Sequence, residues 1–112
     1  GPKLGHLPLN KNTNRKRTPM EDMTEQKIAL QILQRRLERM SDDEVETLNR
    51  ECMMYEMKRD NSQEFISMLN DFKRAANERA GFPILQRYIA GEIAKRWRRQ
   101  RQVLKDFKEL LI

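Results

Sequence analysis

The chain is poor in every group that staples, coordinates or cuts. It has one cysteine, Cys52, and one histidine, His6. A single thiol excludes an intramolecular disulfide and points to a reducing compartment. One imidazole and one thiol so far apart in the chain do not make a zinc site. No glycine-rich phosphate loop and no Ser-His-Asp or Cys-His set is visible. Paired carboxylates occur only where a helix starts, as at Asp42 and Asp43, and capping accounts for them. The expectation is a chain with no catalytic residue, no metal and no cofactor.

Glycine and proline number four each, and aromatics are 6% of the residues. With so few breakers the composition favours helices. Hydrophobic residues make up 38% and charged residues 36%. The first figure lies under the roughly 45–50% usual for globular chains counted with glycine, so a large core is excluded. No apolar run approaches the ~20 residues of a membrane span, and no signal peptide is visible. At 112 residues there is room for one small domain. The chain opens Gly1-Pro2 with no initiator Met. That reads as the scar of a cleaved expression tag on a fragment of a larger intracellular protein.

What is present is charge, unevenly spread. The net charge is +6. Residues 1–18 hold five basic residues and no acidic ones, whereas residues 19–60 carry a net −4. Residues 61–82 balance, and residues 83–112 carry a net +5. Positive potential therefore sits at the two ends, with an acidic stretch between.

Residues 1–17 show no periodicity and read as a flexible basic tail. Within it Arg15, Lys16 and Arg17 form a candidate nuclear-import signal, which favours the nucleus over the cytoplasm. Residues 18–112 read as one helical interaction domain. Thr18-Pro19-Met20-Glu21 is a helix start with a capping box. Met23, Leu30, Leu33, Leu37 and Met40 then mark a helix over 19–40. Ser41 to Glu44 is a second capping box, opening a helix over 42–59 with Val45, Leu48, Cys52 and Tyr55 on its stripe. One bent helix running through Ser41 is the rival. Phe65, Leu69, Phe72 and Ala76 mark a third helix over 62–79, with Gly81 as its stop. Pro83 opens a fourth helix, since Phe82 before it is pushed from helical geometry. The first three helices should pack as short-looped neighbours.

The fourth helix holds the strongest signal. Lys95-Arg96-Trp97-Arg98-Arg99-Gln100-Arg101 sets five cations around the only tryptophan. Leu85, Ile89, Ile93, Trp97, Leu104, Phe107 and Leu111 lie along one face. At ~1.5 Å per residue this helix is longer than a cover for the other three needs to be, so its C-terminal half should project. Lys95, Arg96, Arg98, Arg99 and Arg101 are candidate contacts for phosphates or for an acidic partner. The alternatives are a plain solvated face and an internal partner in the acidic stretch 42–46. Trp97, Leu104 and Leu110 also fall at positions one, eight and fourteen, a spacing compatible with a calmodulin-like acidic protein. Asp106 and Glu109 dilute the cationic face and argue against a membrane surface.

A second cluster is Cys52, Met53, Met54 and Met57. Met53 and Met57 lie off the main stripe. They form an adaptable docking strip, or else the second helix is central and buried on two sides.

The sequence therefore predicts an all-α bundle of about four helices with a long basic amphipathic C-terminal helix. Its expected role is protein binding, as a scaffold or transcription-regulation module. Met53, Met57, Trp97, Leu104, Phe107 and Leu111 are the candidate partner-binding residues. DNA or RNA binding through the basic helix and tail is the first alternative, and self-association is the second.

Overall fold

The computed structural model describes residues 18–111, and they form four helices. The basic tail, with Arg15, Lys16 and Arg17, lies outside the described residues. The helices are α1 (Pro19–Glu38), α2 (Asp42–Glu56), α3 (Gln63–Ala75) and α4 (Gly81–Leu110). This is a small all-α bundle with a long C-terminal helix.

Three helix starts follow from local chemistry. Thr18 and Ser41 each complete a capping box: the hydroxyl accepts from the backbone N–H three residues on, and Glu21 or Glu44 accepts from the cap's own N–H. Ser62 caps α3 by accepting from the Phe65 N–H at 3.2 Å. The Ser41 box excludes a single bent helix through that residue. It also holds the Glu44 carboxyl below its ordinary value, chiefly through the Ser41 hydrogen bonds.

The helix ends correct the sequence expectations. α1 stops at Glu38, before the expected residue 40. α2 stops at Glu56, not 59, because Lys58 turns left-handed at φ 59°. The Lys58 N–H then donates to the Tyr55 carbonyl and the Arg59 N–H to the Met54 carbonyl, closing the helix in a Schellman arrangement. α3 stops at Ala75, and a short turn follows in which Asn77 Oδ1 accepts from the Ala80 N–H at 2.8 Å.

Gly81 does not stop α3; it begins α4, two residues before Pro83. A proline in the first turn needs no helical N–H partner, so it does not break the start. Phe82 stays helical, and its ring packs 4.6 Å from the Tyr55 ring, centroid to centroid. Gly81 is required by closeness: a Cβ there would fall 2.9 Å from the Lys73 Cα.

The core is Leu33 and Leu37 from α1, Val45, Leu48 and Cys52 from α2, Phe65, Met68, Leu69 and Phe72 from α3, and Leu85 and Ile89 from α4. Phe65 and Phe72 are fully buried, and Tyr88 meets Phe72 edge-on at 5.5 Å. Each buried phenyl contributes about 1.5–3 kcal/mol. The central helix is α4, which packs against all three others. α2 is therefore not buried on two sides, and Met53 and Met57 are about half exposed. Met23, placed by spacing on the α1 stripe, is exposed because α1 begins beyond the edge of the core.

Two substitutions should act against simple helix propensity. Gly81→Ala should lose about 1–3 kcal/mol through the clash with Lys73, although alanine is the better helix former. Lys58→Gly should gain up to about 1 kcal/mol by relieving the left-handed residue. Urea midpoints of both variants against the wild type check the two signs.

Candidate functional site

α4 leaves the core and enters solvent within two turns. Ile89 is fully buried, Ile93 is half-buried, and Trp97 is 66% exposed. Every described residue from 97 to 111 is exposed. That is roughly 22 Å of helix. The apolar face does not stop with the core. Trp97, Leu104, Phe107 and Leu111 continue the line of Leu85, Ile89 and Ile93, and each is more than half exposed.

The basic block divides at Trp97. Arg96 is turned inward, with its side chain 11% exposed. Its Nε donates to Glu92 Oε2 at 3.0 Å and its Nη1 to Asp42 Oδ1 at 2.9 Å. Its Nη2 donates to the Leu37 carbonyl at 3.1 Å and the Glu38 carbonyl at 3.4 Å. One guanidinium thus caps the C-terminal end of α1 and pairs with the first turn of α2. Lys95 Nζ donates to Glu38 Oε2 at 2.9 Å and pairs with Glu92 at 3.1 Å.

Glu92 is 3% exposed. Burial alone pushes its carboxyl upward, but the hydrogen bonds and charges of Arg96 and Lys95 outweigh that and hold it below its ordinary value. The hydrogen bond to Glu38, then that to Glu92, raises Lys95. For Arg96, desolvation opposes the charge, and the hydrogen bonds to Glu92 and Asp42 more than restore it.

Arg98, Arg99 and Arg101 are exposed and have no acidic partner among the described residues. Arg98, Arg101 and Lys105 gather on one side of the helix, as their i, i+3, i+7 spacing requires. Where α4 passes the start of α2, a shallow groove of about 110 Å³ is walled by Val45, Glu46, Ile93, Trp97 and Gln100.

A second buried carboxylate holds the corner between α2 and α3. Glu51 accepts from Asn61 Nδ2 at 2.8 Å and from the Ser62 N–H at 3.1 Å. The Asn61 hydrogen bond is the main reason its carboxyl lies low. Beside it, burial first, then the charges of Glu56 and Glu51, push the Cys52 thiol up to about 11. That thiol stays protonated at neutral pH and is a poor nucleophile.

Of the residues singled out by sequence, the structure brings together Trp97, Leu104, Phe107 and Leu111 on one exposed arm. Met53 lies exposed on α2 and Met57 exposed just past its end. Among the described residues no group of three His, Cys, Asp or Glu is placed to hold a metal. Among the described residues no helix is long and apolar enough to cross a membrane. The internal partner weighed for the basic block in the stretch 42–46 is met by Asp42, which pairs with Arg96, while Lys95 turns to Glu38 outside that stretch. Periodicity missed buried Glu92, for which its i, i+4 spacing to Arg96 was the available signal, and the exposed pair Ile28 and Ile32 on α1. Neither a family model, nor a curated protein, nor a solved structure matches this chain.

Arg96→Leu should cost about 3–5 kcal/mol, because it leaves Glu92 buried and uncompensated. Arg96→Lys should remain destabilised, since an ammonium cannot fork to four acceptors. The folded Glu92 value lies below the unfolded one, so its contribution is full above the ordinary value. It is lost as pH falls through the folded value. Between about pH 7 and about pH 3 the wild type should therefore lose more stability than Glu92→Gln.

Proposed function

We propose that this chain is a non-catalytic protein–protein interaction module of a larger intracellular, nuclear scaffold or regulatory protein. The observation that carries the reading is the exposed apolar face of α4. An arm whose Trp97, Leu104, Phe107 and Leu111 continue a core stripe into water has the pattern of a helix that docks in a groove. Contiguous exposed apolar surface of this kind marks an interaction site more often than isolated exposed residues do. The flanking cations Arg99 and Arg101 would steer association with an acidic partner. Met53 and Met57 are flexible side chains suited to a secondary contact. A calmodulin-like acidic protein is one partner of the required chemistry.

A second reading has its own observation. Arg98, Arg101 and Lys105 form one uncompensated cationic row, which suits phosphate oxygens. Lys95 and Arg96 add little to it, since their charge is already matched by Glu38, Glu92 and Asp42. The acidic stretch 19–60 would further repel a polyanion.

The two readings separate by substitution. Leu104→Ala with Phe107→Ala should abolish capture of partner protein from a nuclear extract. Arg98→Gln, Arg99→Gln and Arg101→Gln together should mainly slow association. Wild-type binding to duplex or single-stranded nucleic acid at micromolar strength in about 0.15 M salt, lost in the triple variant, would overturn the protein-binding reading.

A further inference from the structure

We infer that the α4 arm docks into a groove at the α1–α2–α3 corner of a second copy of this chain, and that two copies exchange arms reciprocally. The inference rests on the reading of the arm as a docking helix and names its partner. The groove lies on the side of α2 where α1 ends and α3 begins, and its volume is about 400 Å³. Met40, Thr47, Leu48, Glu51 and Ser62 line it, and its exposed lining is mostly carbon. Its rim carries Asp43, Glu44 and Glu64. Glu44 is engaged in the Ser41 capping box. Asp43 and Glu64 are exposed and have no basic partner among the described residues.

The arm is the complement of that groove. Its apolar stripe, centred on Leu104 and Phe107, matches a mostly carbon lining. Arg99 and Arg101 are two positions apart and so flank the stripe on opposite sides of the helix. They are the groups that two rim carboxylates call for. Both sets of charges are unmatched among the described residues.

The arm does not fill the groove of its own chain. α4 is one unbroken helix through residue 110, and every described residue from Trp97 onward is exposed. An arm from a second copy is under no such constraint. If each copy gives an arm and receives one, the assembly closes as a two-fold dimer and uses the contact twice.

Sedimentation equilibrium of the full chain tests this. The wild type should be a monomer–dimer system whose dimer weakens as salt rises. Arg99→Glu with Arg101→Glu should reduce association at least tenfold, and so should Asp43→Arg with Glu64→Arg. Circular dichroism checks that both variants keep their helices. Mixing the arm-reversed and groove-reversed chains should restore a dimer, because both exchanged contacts regain opposite charges.

A monomer at all concentrations overturns the inference. So does a dimer that groove reversal leaves intact, which would mean arm against arm, or one that vanishes when residues 1–17 are removed. None of these outcomes touches the reading of the arm as a protein-docking helix. That reading stands or falls on capture of a different protein through Leu104 and Phe107.

Discussion

The buried pair of Glu92 and Arg96 fixes the arrangement of this bundle. A carboxylate this deep is tolerable only when its partners are fully in place, since desolvation of each charge costs several kcal/mol. Here the guanidinium satisfies the carboxylate and, with its remaining N–H groups, two carbonyls at the end of α1 and an aspartate at the start of α2. The same side chain therefore sets how far α4 slides along α1 and where α2 turns away. Apolar packing of Leu85 and Ile89 supplies more energy but tolerates small shifts. A four-acceptor fork does not.

Much of the fold was legible because short-range chemistry wrote it. Thr18 and Ser41 announce their helices through capping boxes that involve only neighbours within three residues. The stripes of Leu33 and Leu37, of Val45, Leu48 and Cys52, and of Phe65, Leu69 and Phe72 are periodic and buried as read. The misreadings fall where distant residues decide. Gly81 resembles a helix stop in sequence, but it is glycine because Lys73 passes against its Cα. Lys58 ends α2 with a residue type that gives no sign of a left-handed turn. The central position of α4 follows from which faces meet in three dimensions, and no spacing within α4 records it.

The basic block shows the same limit at the site. As letters, Lys95, Arg96, Arg98, Arg99 and Arg101 are equivalent cations. One turn of helix separates them into a structural pair facing acids and a solvent-facing set without acids. Charge counting along the chain gives the sum of the two and cannot divide it. The division matters for function: two of the five cations are matched at home, while the apolar arm beyond them is not.

The protonated thiol of Cys52 gives the molecule an internal clock. It belongs to the same buried cluster as Val45, Leu48 and Phe65, and is 2% exposed. With its pKa near 11 it reacts only when the bundle opens and water reaches it. Because the sequence holds one sulfhydryl, the rate at which a thiol reagent labels the native protein counts those openings directly. Occupancy of the distant arm, if it quiets the rod on which Leu85 and Ile89 ride, would register as a slowing of that clock.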